Sequence, residues 1–141
     1  MSSITVRPYE SKDFHAVLNF DGRPSKRRQQ KLRMLELPDV FYGYVAEDED
    51  GIIGFIVMQD MGDEATHQVM QINAKEKRKG IGRRLMKEVF HRQGRGKHIT
   101  LAVLTDNLNA IAFYEALGFQ KSGHTREYKK GKDYFWYCMD V

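Results

Sequence analysis

The chain has 141 residues, of which 41% are apolar and 30% charged, and a formal net charge of +4. This length suits about one folded domain, and the content of large apolar residues excludes a disordered chain. The single cysteine, Cys138, excludes an internal disulfide and a cysteine-rich metal module, which favours a reducing compartment. We expect no membrane span, because apolar stretches such as 52–58 fall far short of roughly 20 residues. The start of the chain lacks the apolar run of a secretory signal, so we expect a cytoplasmic protein.

The first forty residues predict a strand and two helices. Residues 4–8 alternate apolar and polar side chains, which predicts an edge strand, since Pro8 is tolerated there. Ser11 is the predicted N-cap of a first helix, which ends at the break over 21–24. Ser25 is the predicted cap of a second helix, which carries many cations and stops before Pro38.

The middle of the chain predicts three strands and a longer helix. Residues 41–46 and 52–58 predict the two strands of a hairpin across an acidic turn. Residues 69–72 predict a third strand, which leads directly into a loop that contains glycine. From Ile81, apolar residues at helical spacing predict a helix that ends before Gly94.

The last forty residues complete the predicted sheet. Residues 99–103 predict a strand, and Thr105-Asp106-Asn107 mark the start of a helix that ends at Gly118. The polar segment 121–133 predicts a loop or a hairpin before a last, aromatic strand over 134–139. The resulting order is βααβββαβαββ. It predicts an α/β fold with one mixed sheet and helices on both of its faces.

Positive charge is concentrated in two short windows. Residues 23–33 and 75–84 together hold twelve of the 23 lysines and arginines. Such windows create local positive potential that attracts phosphates or an acidic partner. For the first window, a solvated helix face explains the pattern equally well.

The second window contains a glycine loop between a predicted strand and a predicted helix. Glycine at positions 80 and 82 lets the backbone approach an anion closely, and the helix start presents unpaired N–H groups to it. The loop therefore predicts a phosphate site. It is neither a P-loop nor a dinucleotide fingerprint, because Leu85 stands at the third glycine position and no Lys-Ser/Thr pair follows.

Two segments resemble the signature motifs of the GNAT acetyltransferase superfamily. One is Ile72 followed by Lys77-Arg78-Lys79-Gly80-Ile81-Gly82, and the other is Asn107-Leu108-Asn109-Ala110-Ile111-Ala112-Phe113-Tyr114-Glu115-Ala116-Leu117-Gly118-Phe119. The element order and the motif spacing match that family too, so the resemblance spans most of the chain. The family usually has Arg or Gln where Lys77 stands, a mild departure. The resemblance implies a single N-acetyltransferase domain over residues 1–141, with an acyl-CoA N-acyltransferase fold whose mostly antiparallel sheet splits in a V.

The same resemblance implies acetyl-CoA as the acyl donor, bound between the strand ending near Ile72 and the strand ending near Val103. The first strand would pair with the pantetheine arm through the backbone of Met70, Gln71 and Ile72. The loop and the helix start would hold the pyrophosphate through Arg78, Lys79, Gly80, Ile81, Gly82 and Arg83. Asn107 would hydrogen-bond the pantetheine, and Tyr114 would lie near the sulfur. Helical spacing alone favours a core aromatic residue at Tyr114.

Acetyl transfer requires a neutral amine, a donor for the developing oxyanion and a proton for the departing thiolate. Tyr114 suits the last task, because a phenol is protonated at neutral pH, and the backbone N–H of Ile72 is the expected oxyanion donor. The segments DEAT and REYKKGKDY resemble the ribosomal-protein N-terminal acetyltransferases, a subgroup with a catalytic Glu where this chain has Ala102. Water, His67 and Glu64 stay open as replacements for that carboxylate. The scattered histidines indicate no metal site.

The sequence does not fix the amine acceptor. In the family, the segment between the first two helices covers the acceptor site, which here is the cationic window 23–33. A cationic rim attracts an amine carried on an anionic small molecule or an acidic peptide and repels polyamines. Two other functions compete: an acyl-CoA sensor without catalysis, favoured by Ala102, and a nucleic-acid binder, which ranks last because no stacking motif or recognised helix-turn-helix is present. Both a monomer and a homodimer fit the sequence.

Overall fold

A computed structural model describes residues 3–75, 80–129 and 131–141. Within these ranges the chain forms one seven-stranded sheet and four α-helices, in the predicted order βααβββαβαββ. The strands are β1 (Thr5–Pro8), β2 (Phe41–Asp48), β3 (Gly51–Asp60), β4 (Thr66–Ala74), β5 (His98–Leu104), β6 (Gln120–Lys129) and β7 (Lys132–Asp140). The helices are α1 (Phe14–Asn19), α2 (Lys26–Met34), α3 (Ile81–Gln93) and α4 (Leu108–Ala116). None of these helices is long and apolar enough to cross a membrane.

The sheet is mixed and mostly antiparallel, as predicted. Its strand order is β1-β2-β3-β4-β5-β7-β6, and β4 and β5 are its parallel pair. That pair is short, because β4 and β5 share a register only from Thr66 and His98 to Gln68 and Thr100. Beyond these residues the two strands separate, which produces the V-shaped split.

A bulge in β4 explains why the strands separate there. Met70 is an extra residue between Val69 and Gln71, whose partners on β3 are consecutive. A bulge bends its strand and increases the local twist. Because Met70 follows the last residue paired with β5 by two positions, the bend turns the rest of β4 away from β5.

Helices cover the two faces of the sheet unequally. Helices α3 and α4 pack on one face, which we call the α3 face, where the larger core includes Leu85 and Leu101. Helices α1 and α2 pack on β2, β3 and β4 on the opposite face, which we call the α1 face, where Leu32 meets Phe55. Each fully buried side chain of this size contributes about 1.5–3 kcal/mol of burial free energy. The helices on both faces agree with the prediction.

Local signals set most of the element ends. Ser25 caps α2 as predicted, since its Oγ accepts from the Arg28 N–H at 3.0 Å. The prediction that Ser11 caps the first helix is wrong. A 3-10 turn already begins at Ser11, and the Glu10 N–H before it donates to the Asp13 carboxylate at 2.9 Å. The polar segment 121–133 is a hairpin of β6 and β7.

Candidate active site

The split leaves two strand edges facing each other. Past Gln68, β4 pairs only with β3, and past Thr100, β5 pairs only with β7 within the described ranges. The backbone N–H and C=O groups on the facing edges are therefore available to an added extended chain. A pantetheine arm, which carries two amides, fits such an edge. Met70, Gln71 and Ile72 lie on the β4 side of the split, where the family resemblance predicts that the acyl donor binds.

Helix α3 begins beside the open end of β4. Its N-cap, Gly80, has a φ of 68°, a left-handed conformation that favours glycine. The first residue, Ile81, is buried and packs so tightly against β3 that a Cβ on Gly54 would lie 2.8 Å from Ile81 Cγ2. Sequence reasoning does not single out Gly54, although an isolated glycine within a strand signals such an approach.

The predicted pyrophosphate residues are only partly described. Gly80, Ile81, Gly82 and the exposed Arg83 form the cap and first turn of α3, where unpaired N–H groups favour an anion. Arg78 and Lys79 lie outside the described residues. A diphosphate is a suitable ligand for this helix start, because it adds negative charge at the positive end of a 13-residue helix.

Asn107 has a structural task of its own at the start of α4. Its Oδ1 accepts from the Ala110 N–H at 3.3 Å and so caps the helix. Its Nδ2 has no partner within residues 3–75, 80–129 and 131–141. The capped geometry thus leaves the amide donor for a second acceptor such as the pantetheine carbonyl.

Tyr114 lies on the buried side of α4, within the α3-face core. The residue is 8% exposed, and its ring meets Phe113 and Phe119 edge to face, with centroids 5.2 and 5.6 Å away. Burial raises the pKa of the phenol to about 12. The core position expected from helical spacing is therefore present. Because the hydroxyl has no hydrogen-bond partner among the described residues, the ring is fixed while its donor is uncommitted.

Ala102 faces the opposite side of the sheet from Tyr114. Along β5, Ile99, Leu101 and Val103 are buried on the α3 face, and the residues between them are partly exposed. Ala102 therefore lies on the α1 face, beside its β7 partner Trp136. The two faces thus differ: one holds a protonated phenol, and the other holds a methyl group where the resembled subgroup has a carboxylate.

The candidate bases His67 and Glu64 lie at the closed end of the split. His67 is buried, and its Nδ1 is 2.9 Å from the Tyr42 hydroxyl. Burial lowers the pKa of His67 and so favours the neutral ring. It is five residues from Ile72, about 16 Å along an extended strand. Glu64 lies in the exposed β3–β4 loop, where its backbone carbonyl accepts from Lys97. This placement favours water as the proton acceptor.

The first cationic window does not present all of its charges to solvent. Arg28 is 5% exposed and donates to both carboxylate oxygens of Asp21, at 2.8 and 2.9 Å, and to the Leu18 carbonyl at 3.0 Å. The prediction that the whole window 23–33 forms an exposed cationic rim is therefore wrong for Arg28. The exposed cations of the window are Arg23, Lys26, Arg27 and Arg33. Within the described part of the chain, no cluster of potential metal ligands occurs.

A family model described as an acetyltransferase (GNAT) domain matches residues 39–121. The chain belongs to this family. The matched segment runs from the start of β2 into β6, so it contains both edges of the split together with α3 and α4. The family model thus confirms the GNAT family that the two sequence motifs indicate.

A curated relative is an acetyltransferase as well. The N-alpha-acetyltransferase RimI of Mycobacterium tuberculosis is 46% identical over 50 residues, which are 36% of this chain and 31% of the relative. The matched segments span between about a quarter and a half of the curated relatives' own lengths.

Two solved structures share the whole fold. The ribosomal-protein-S18-alanine N-acetyltransferase of Escherichia coli superposes with a TM-score of 0.81 and 19% identity, over 99% of this chain and 94% of that one. NAA60 of Arabidopsis thaliana in complex with acetyl-CoA superposes with a TM-score of 0.81 and 16% identity, over 99% of each chain. At these identities the similarity establishes the fold.

Proposed function

We propose that this chain is an N-acetyltransferase that moves an acetyl group from acetyl-CoA to a primary amine of a small molecule, peptide or protein by direct attack. The observation that carries the proposal is the split itself, where two free strand edges meet the start of α3 beside Tyr114. We propose that residues 1–141 are one N-acetyltransferase domain and that it acts in the cytoplasm.

The acyl donor would span the split from the helix start to the strand edges. The N–H groups at Gly80, Ile81 and Gly82 would hold its pyrophosphate, and the β4 edge would pair with its pantetheine amides. This pairing supports a fixed thioester position, since each hydrogen bond to a strand edge sets the register of the arm. The Asn107 amide would hold one further carbonyl.

The reacting groups would then approach from the two faces of the sheet. A neutral amine on the α1 face attacks the thioester carbon, a C–N bond forms, and the Ile72 N–H stabilises the oxyanion. The C–S bond then breaks, the thiolate takes a proton from Tyr114 on the α3 face, and the Tyr114 phenolate regains a proton from water. The amine nitrogen loses its proton to water, because Ala102 supplies no carboxylate. The products are free CoA and the N-acetylated amine.

We further propose that the acceptor is anionic overall. The exposed cations on and before α2 lie on the α1 face, where Leu32 of α2 packs in the same cluster as Met70 beside the split. An acidic molecule or peptide that carries the amine is attracted to this side, and polycations are repelled.

Free CoA release distinguishes the enzyme from an acyl-CoA sensor. The purified chain is incubated with acetyl-CoA, with and without a panel of acidic and basic peptides, and thiol release is followed. An enzyme releases CoA at a rate that depends on the amine, and mass spectrometry detects the acetylated product. Acetyl-CoA binding without release for any amine would support the sensor and contradict the proposal.

A further inference from the structure

We propose that the groove between the edge strand β1 and helix α3 docks an extended acidic segment of a partner protein. The groove has a volume of about 510 Å³. Ile4 and Val6 line its strand side, and Arg84, Lys87 and His91 line its helix side. These helix residues lie on the side of α3 roughly opposite Gly82, so the groove is separate from the split and its use does not depend on the proposed reaction.

The backbone of β1 is suited to accept one more strand. The Tyr9 N–H donates to the Gly43 carbonyl at 2.9 Å, which fixes the inner register of the pairing between β1 and β2. Because residues of an antiparallel strand alternate between inner and outer positions, the backbone groups of Ile4 and Val6 point away from β2. These outer groups border the groove.

Pro8 limits how far an added strand can extend. It occupies an outer position of β1, where its missing N–H leaves a gap in the free edge. Proline on an edge also disfavours open-ended pairing between copies of one chain. The edge therefore suits a short segment of another protein better than the edge strand of a second copy.

The charge of the groove selects an acidic segment. Arg84 and Lys87 are exposed, and neither has an acidic partner among the residues that the structure describes. Glu88, the acidic residue of the lining, is held by Arg92 at 2.7 Å. Every second side chain of an added strand faces α3. Acidic residues at alternate positions would thus meet Arg84 and Lys87.

The test uses the full 141-residue chain and three labelled eight-residue peptides. The first alternates Glu with Thr and Val, the second has Lys in place of Glu, and the third has the composition of the first with its Glu residues consecutive. Fluorescence anisotropy at several salt concentrations gives the affinities. We expect the alternating acidic peptide to bind about tenfold more tightly than either control, and salt to weaken it.

Variants and amide exchange locate the site. Lys87→Glu is expected to lower the affinity for the alternating acidic peptide about tenfold. Arg95→Glu, at an exposed turn, is expected to leave this affinity unchanged. Bound peptide is expected to slow hydrogen exchange at the Val6 amide. The proposal would be overturned if all three peptides bound with the same affinity or if both variants lost the same affinity. It would also be overturned if the bound peptide did not slow exchange at the Val6 amide. A dimer of the peptide-free chain in sedimentation velocity, together with a Val6 amide that already exchanges slowly without peptide, would overturn it too.

Discussion

Gly82, in the first sequence motif, packs against the ring of Phe113, in the second. A Cβ added at Gly82, in the first turn of α3, would lie 3.2 Å from Cζ of Phe113 on α4. Few real Cβ contacts are so close. The glycine therefore serves the packing of α3 against α4 as well as the approach of an anion, and the ring of Phe113 adjoins that of the neighbouring Tyr114.

Gly82→Ala is expected to lower the free energy of unfolding by about 1 kcal/mol. Overpacking costs about 1–3 kcal/mol, which exceeds the helix-propensity gain of up to about 1 kcal/mol from replacing glycine. Urea unfolding measures the change. In a Phe113→Leu background the same substitution is expected to be neutral or stabilising, because the close ring carbon is gone. Equal effects in both backgrounds would show that the two residues are not coupled.

Tyr114→Phe is expected to lower kcat about 10²- to 10⁴-fold with little change in the KM for acetyl-CoA, because only proton donation to the thiolate is lost. Tyr44→Phe, at another buried tyrosine, is the matched control and is expected to keep full turnover. Unchanged turnover in Tyr114→Phe would remove this residue from the mechanism.

The pH profile gives a second test of Tyr114. Since burial raises the pKa of its phenol to about 12, the proton donor remains protonated throughout the range in which an amine acceptor becomes neutral. The rate is thus expected to rise with pH and to stay high up to about pH 10. A fall near pH 9 that is absent from Tyr114→Phe would indicate a phenol with a lowered pKa.

Ala102→Glu is expected to raise kcat/KM about tenfold near pH 7, because a carboxylate on the α1 face can take the amine proton. The side chain would stand beside Trp136, on the partly exposed face of β5. Ala102→Gln has the same shape without the base and is the control. If Glu and Gln give the same rate, this position does not face the acceptor amine.

The order of elements was predictable because each element carries its own periodicity and end signal. Ser25, Asn107 and Gly118 mark helix ends through local hydrogen bonds or backbone conformation, and the structure confirms these positions. The two motifs likewise identify the strand, loop and helices of the split. These features depend on residues close in sequence, so the amino-acid pattern contains them.

The features that the sequence does not predict depend on contacts between residues that are distant in sequence. Nothing local marks Met70 as the bulged residue, since the bulge exists only relative to the register of β3. The charge pattern predicts Arg28 as one cation of an exposed window, yet the ring centroids of Phe20 and Phe55 lie 4.8 and 5.5 Å from its guanidinium carbon and the two rings help to bury it. The burial of His67 against Tyr42 likewise follows from strand order. Composition cannot supply such information.

Reversing exposed charge at the start of α2 tests the anionic acceptor. Lys26→Glu with Arg27→Glu is expected to lower kcat/KM for an acidic peptide about tenfold and to remove the discrimination against a basic one, because the four exposed cations of the window become two cations and two carboxylates and the positive potential of the rim is cancelled. Arg95→Glu changes the net charge of the chain by two units at a remote turn and is the control. A preference for spermidine or basic peptides in the unmodified chain would defeat the acceptor proposal.

Asp21→Asn tests the ion pair that anchors the segment between α1 and α2. At pH 7 the substitution leaves the Arg28 charge buried and unpaired, so we expect a loss of about 3 kcal/mol in the free energy of unfolding. The hydrogen bonds from Arg28 lower the pKa of Asp21 from 3.8 to about 2. The contribution of the carboxylate is therefore complete above about pH 5 and declines as the pH falls toward 2, because the unfolded chain binds the proton first.

Urea unfolding at pH 7, 4 and 3 measures the difference in the free energy of unfolding between the parent chain and Asp21→Asn. This difference should shrink as the pH falls, whereas the exposed Asp39→Asn control should differ little from the parent chain at any pH. A difference that stays constant from pH 7 to 3 would mean that the Asp21 carboxylate does not carry this stability.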